Sequence, residues 1–135
     1  MGEVSKKQFY GGYVLSGLAG AFLLLDAAMK LLDLPVVAQT NAALGWSADK
    51  GVLLGVILLA ATILYIWPRT AVLGAIFLTG YLGGAVAAHG RIGNPWFSHV
   101  FFGVYVGIFV WGGLWLRDPR VRALLPLSAQ KSAAA

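Results

Sequence analysis

Cysteine is absent from this 135-residue chain. That excludes disulfides, thiol redox chemistry, iron–sulfur ligation and thiolate metal sites. Charge is scarce too. Asp, Glu, Lys and Arg make up 11% of the residues, against about 25% in a typical soluble domain. A soluble protein of this size needs a charged surface, and this one has too few charges to make it. No Walker-type Lys–Ser/Thr pair accompanies the Gly-rich stretches, so they are not nucleotide loops. No Ser–His–Asp array has usable spacing for nucleophilic catalysis.

What is present points to lipid. Hydrophobic residues reach 59%, and most of the 18 glycines fall inside the apolar runs instead of between them. Glycine inside helices is common in membranes, where it lets backbones approach. Several of the 5 Trp and 5 Tyr lie at the ends of apolar runs, as residues of an interfacial belt do. The net charge is +5, but the basic residues sit mostly outside the apolar runs. Orientation in a bilayer explains them better than nucleic acid does, and no nucleic-acid partner is expected.

A membrane helix needs about 20 apolar residues to cross a ~30 Å core. Four segments meet or nearly meet that need, at residues 9–32, 50–67, 70–89 and 98–116. The first is preceded by Lys6 and Lys7, as in a signal peptide. It is too long for one and carries Asp26 and Lys30 where a cleavage site would lie, so it reads as a span. Pro68 and Arg69 make a tight hairpin between the second and third spans. The expected fold is an all-α transmembrane four-helix bundle, one domain over residues 1–127, with a disordered tail at 128–135. Lys6, Lys7, Arg69, Arg117, Arg120, Arg122 and Lys131 fall on one side, and Lys30, Lys50 and Arg91 on the other. Seven against three puts both termini in the cytoplasm of a bacterial-type inner membrane.

Small residues recur at every fourth position. The rows are Gly12, Ser16 and Gly20; Gly51 and Gly55; Gly80, Gly84 and Ala88; and Gly103 and Gly107. Lipid gives no hydrophobic drive between helices, so four such rows suggest a tightly packed bundle.

The polar residues gather at one level. Asp26 lies roughly 16 residues into the first span, about 24 Å from its start at 1.5 Å per residue. Lys30 and Asp33 follow at helical spacing, giving an Asp–Lys–Asp row on one stripe. The third span delivers His89 at the same outer end, and the fourth begins near His99. Arg91 and Asn94 lie in the loop between them, and Tyr81 and Tyr105 can add hydroxyls one or more turns deeper. Each feature has two readings. Asp26 and Lys30 are either a structural ion pair or part of a site, and Lys30 alone can snorkel to the interface. The histidines are either interfacial helix ends or the donors of a site. Two histidines and a carboxylate suit a metal ion, though spacing across a loop makes that signal weak. The same groups suit hydrogen bonding to a quinone carbonyl or a proton relay.

At this point the residues carry a resemblance. The runs PRTAVLGA at 68–75 and TGYLGGAVAAH at 79–89, with DAAMKL at 26–31 and WLRDPR at 115–120, resemble the DoxX-like family of small four-helix membrane proteins. The resemblance implies that His89 is the family's common third-span histidine and that Asp26 and Lys30 occupy its polar first-span positions. It also implies a setting. The family takes its name from the small membrane subunit of a thiosulfate–quinone oxidoreductase, and relatives are linked to redox enzymes, oxidative stress and membrane-protein assembly. The leading expectation is therefore a membrane subunit or anchor for a quinone-linked redox complex, not catalytic alone. It would contact lipid and either protein partners or further copies of itself. The alternatives are a stand-alone small-molecule, proton or metal site at the outer end of the bundle, and an assembly factor or structural subunit. Without cysteine the chain cannot perform the thiol chemistry suggested for some redox relatives.

Overall fold

The computed structural model describes residues 4–125. The expected tail at 128–135 and Lys131 lie outside them. The described residues are helical and contain no strand. Helix α1 covers Lys6–Leu31, α2 Pro35–Ala43, α3 Lys50–Ile66, α4 Ala71–Arg91, α5 Phe102–Arg117 and α6 Pro119–Leu124, and a π-helical turn at Trp96–Val100 leads into α5. The long helices α1, α3, α4 and α5 pack as a ring, with α1 and α4 each set against both α3 and α5.

Three stretches are long and apolar enough to cross a membrane, Lys6–Leu31, Ala71–Arg91 and Trp96–Arg117. Helix α3 is apolar but has 17 residues. Large apolar side chains point outward along every long helix, including Val14, Leu18 and Leu25 on α1, Leu53 and Ile57 on α3, Ile76 and Phe77 on α4, and Ile108 on α5. Scattered exposed apolar residues are ordinary in soluble proteins, but continuous belts on helix after helix are not. The protein is a multi-pass membrane protein whose outer surface meets lipid.

The start of α1 shows why it begins where it does. The Ser5 hydroxyl accepts from the Gln8 amide, and the Gln8 side chain accepts from the Ser5 amide, a reciprocal capping box. The other end of α1 corrects the sequence reading of Asp33. The helix stops at Leu31, and Asp33 follows with φ +51°. The Leu34 amide donates to the Met29 carbonyl and the Asp33 amide to the Lys30 carbonyl. This is a Schellman ending, which needs a left-handed residue and tolerates Asp there. Asp33 therefore ends the helix and does not extend the Asp26–Lys30 stripe. Pro35 then starts α2 at its first turn, where a missing N–H costs nothing.

One end of the bundle is held by backbone contact. A Cβ at Gly12 would stand 2.6 Å from the Gly113 carbonyl oxygen, and one at Gly113 would collide with the Ser16 hydroxyl. A Cβ at Gly74 would run into the Tyr65 backbone, so α3 and α4 also touch main chain to main chain. Tyr65 is the polar node of this region. Its hydroxyl lies 2.8 Å from the Val110 carbonyl oxygen and 2.7 Å from Ser16 Oγ. The carbonyl can only accept, so Tyr65 donates to it, and Ser16 serves the remaining bond. Three helices are joined at one buried hydroxyl. Thr70 closes the α3–α4 hairpin by donating to the Leu64 carbonyl, and Trp111 ties α5 to α4 through Thr79.

The charged caps outside the spans are local. Asp49, hydrogen-bonded by Ser47 and then by Lys50, titrates far below the usual carboxylate range, at about 2. Asp118 accepts from the Arg120 amide at the start of α6, and the Arg120 guanidinium holds its carboxyl below its ordinary value. Arg122 donates to the Trp115 and Leu116 carbonyls, which are otherwise orphaned at the end of α5.

These contacts predict a contrast between glycines. Gly12→Ala and Gly113→Ala should each destabilise the protein by about 1–3 kcal/mol, the usual range for overpacking. Gly83→Ala, where an added Cβ meets nothing within 4 Å, should stay near wild type. Thermal melts of the three variants in the same detergent check this.

Candidate functional site

At the opposite end the helices do not close. A cavity of about 460 Å³ opens between α1, α2, α4 and α5. That lies within the 300–1,000 Å³ or so typical of small-molecule sites. Its walls are mostly apolar, with Phe22, Leu54, Phe102 and Val106 among them.

The opening has a sequence cause. Gly80 and Gly84 line it, and a Cβ at either would meet no atom within 4 Å. Their spacing reads as a packing row, like Gly12 and Ser16. In the fold this row seats no neighbouring helix, and leaves space where side chains would stand. Gly55 does pack closely, against Lys30 and Leu31, so the same spacing has opposite uses on α3 and α4.

Asp26, Lys30, Tyr81, His89 and His99 all line this one cavity. Lys30 and Asp26 form an ion pair across one turn of α1, both partly buried. A charge alone would cost about 2.5–3.5 kcal/mol at the bilayer centre and less toward the outer face. Pairing offsets part of that and leaves the two heads at the cavity wall. The histidine rings lie edge to face with centroids 6.1 Å apart. Asn94 Nδ2 donates to His89 Nδ1 at 2.6 Å. An acceptor at Nδ1 puts the proton of the neutral ring on Nε2. Ser98 engages Nδ1 of His99 at 2.7 Å. Each ring thus has one nitrogen held by its own loop, leaving Nε2 without a protein partner among the described residues.

The other candidates have different places. Asn94 touches His89 and does not line the cavity, so its part is to orient the ring. Arg91 reaches across to donate to the Leu44 carbonyl at 2.6 Å, fastening the chain after α2 to the end of α4. Gly45, with φ +86°, lets that segment turn beside the guanidinium. Tyr105 donates to the Phe97 carbonyl on the outer surface, so it adds no hydroxyl to the site. Asp33 sits in the turn after α1, outside the lining.

Sequence reasoning missed four polar lining groups: Thr40, Asn41, Trp46 and Ser98. The first two are on α2, a nine-residue helix in a stretch that reads as a loop between spans. Ser98 and His99 are consecutive, yet both line the cavity. They lie in the π-helical turn, where the Val100 and Phe101 amides reach five residues back to Pro95 and Trp96. Such turns recur at functional sites. A second cavity of about 160 Å³ lies between α1 and α2 and shares Asp26, Lys30, Thr40 and Asn41 with the first.

Among the described residues, no group of three or more His, Asp or Glu side chains is arranged to hold a metal ion. The lining offers instead an ion pair, the His89 N–H donor, a second imidazole and an amide in an apolar chamber. That set can orient an uncharged polar molecule.

The sequence profile of the DoxX-like family matches residues 14–113, which includes every cavity-lining residue. Neither the curated proteins nor the solved structures contain a match to the chain.

The ion pair yields a prediction. Removing one partner should destabilise the protein, by less than the roughly 3–5 kcal/mol of a fully buried pair, because both side chains keep part of their exposure. Asp26→Asn with Lys30→Met in one chain should recover most of that loss. A double-mutant cycle of detergent melts measures it.

Proposed function

The chain belongs to the DoxX-like family, and from that premise we propose that it crosses the membrane four times and binds a small, uncharged, quinone-like molecule in the cavity beside Asp26, Lys30, His89 and His99. The observation that carries the reading is the coincidence of the polar residues with a large opening between the described helices. Imidazole Nε2–H of His89 supplies a donor suited to a carbonyl oxygen, and the apolar walls suit a ring. The Lys30 ammonium, held by Asp26, adds a further N–H donor at the wall of the chamber.

Four crossings are supported by the packing of α3 between α1 and α4. At 1.5 Å per residue its 17 residues rise about 25 Å, a little under the ~30 Å hydrocarbon core. A bilayer accommodates a mismatch of that size. The cytoplasmic placement of both termini rests on charge. Lys6, Lys7, Arg69, Arg117, Arg120 and Arg122 belong to one set of helix ends, and Lys30, Lys50 and Arg91 to the other. We read the membrane as a bacterial-type inner membrane. The cavity would then open at the outer side.

A ligand site now ranks ahead of the anchor role for a quinone-linked redox complex, which the sequence alone favoured. The two are compatible, since a subunit that holds quinone can also dock an enzyme, or a second copy of itself. The chain is read as a binding protein and not as a catalyst on its own.

The test is ligand-dependent stability in nanodiscs with duroquinone as the probe. Saturation at about 100 Kd should stabilise the wild type by about 2.7 kcal/mol. Gly84→Leu should fold normally, because it enters open space, and should abolish the shift. His89→Ala should weaken binding. An undiminished shift in Gly84→Leu would place the probe elsewhere and sink the proposal.

A further inference from the structure

The least expected group in the cavity is Asn41. The residue is 7% exposed, and its side-chain amide, which packs toward Gly51 of α3, makes no hydrogen bond among the described residues. A primary amide has two N–H donors and an acceptor oxygen. Such a group needs partners, and the open cavity is where water or a ligand supplies them. The nearby polar groups do not supply them. Asp26 and Lys30 are engaged with each other. The Thr40 hydroxyl donates back to the Val36 carbonyl within α2. Asn is also a poor helix former, and it sits in the last turn of a short helix. An apolar residue would serve both the helix and the burial better.

We infer that Asn41 is a second polar anchor of the cavity, so that the ligand carries polar groups at two separated points, one met by the His89 wall and the other by α2. This rests on the cavity being a ligand site, as proposed above. The histidines come from α4 and the turn before α5, whereas Asn41 comes from α2, so the two anchors belong to different walls of one chamber. Asn41 also lines the smaller cavity, beside Met29, Val36 and Val37. A ligand bridging the anchors therefore has apolar space beside its α2 end. An amide both donates and accepts, so it pairs with a carbonyl or with the hydroxyl of the same compound after reduction. The ligand class is a ring with opposed oxygen substituents. A molecule with one oxygen engages one wall only.

The experiment compares two probes, duroquinone with two opposed carbonyls and isophorone with one, against wild type, Asn41→Leu and His89→Ala in nanodiscs. Asn41→Leu should weaken duroquinone about tenfold, which is about 1.4 kcal/mol, and leave isophorone within about twofold, in line with loss of one hydrogen bond. Its ligand-free melting temperature should hold or rise, because an unpaired amide has been replaced by an apolar side chain of similar size. His89→Ala should weaken both probes. Equal weakening of both probes by Asn41→Leu would reduce its role to shape and overturn the inference. A fall of several degrees in the ligand-free melt would make the amide structural, with the same consequence. Unchanged duroquinone affinity would show that water alone serves the amide, again overturning the second anchor while sparing the cavity reading. Wild-type protein that binds neither probe would overturn both.

Discussion

An aspartate and a lysine one turn apart inside an apolar helix set the terms for this bundle. Neither can face hydrocarbon, so the α1 stripe that bears them must turn inward, and the polar end of the bundle has to be built around it. They satisfy each other, yet two opposite charges still attract further dipoles. The neighbouring walls supply them from α2, α4 and the turn before α5. A chamber with apolar sides and a few oriented polar groups is what such a constraint produces when the helices also stay apart.

They stay apart at one end because they are locked at the other. Gly12, Ser16 and Gly113 bring α1 and α5 into main-chain contact, Gly74 does the same for α3 and α4, and the Tyr65 hydroxyl joins α1, α3 and α5. In a bilayer there is no water to compensate a loosened backbone or an unpaired hydroxyl, so this close seam carries much of the cohesion. The open end can then hold space without the bundle coming apart. Arg91 adds a strap there by fixing the chain after α2 to the end of α4.

The sequence was most readable where the physics of lipid is most severe. Asp26, Lys30, His89 and His99 stand out because polar groups are rare in spans and carry a cost there, and all four line the cavity. The rows of small residues were less readable, because spacing reveals a helix face and not what lies opposite it. Gly12 and Gly55 meet backbone or side chains, while Gly80 and Gly84 meet space. Asp33 looked like a third charge on a stripe, since nothing in its spacing marks the left-handed turn that takes it off the helix. Helix α2 was hidden by its shortness and mixed polarity. Asn41 and Thr40 therefore passed for loop residues, although one of them is among the most deeply buried polar groups described.

The central claim is that this DoxX-like protein keeps a small molecule at the outer end of its bundle. It is tested most directly by isolating the protein from its own membranes in mild detergent and identifying, by mass spectrometry, everything that stays bound. The account predicts a stoichiometric small molecule with oxygen-bearing polar groups, retained by the wild type and absent from Gly84→Leu. A tightly bound protein chain with no small molecule, unchanged in Gly84→Leu, would contradict it and return the membrane-anchor reading to first place.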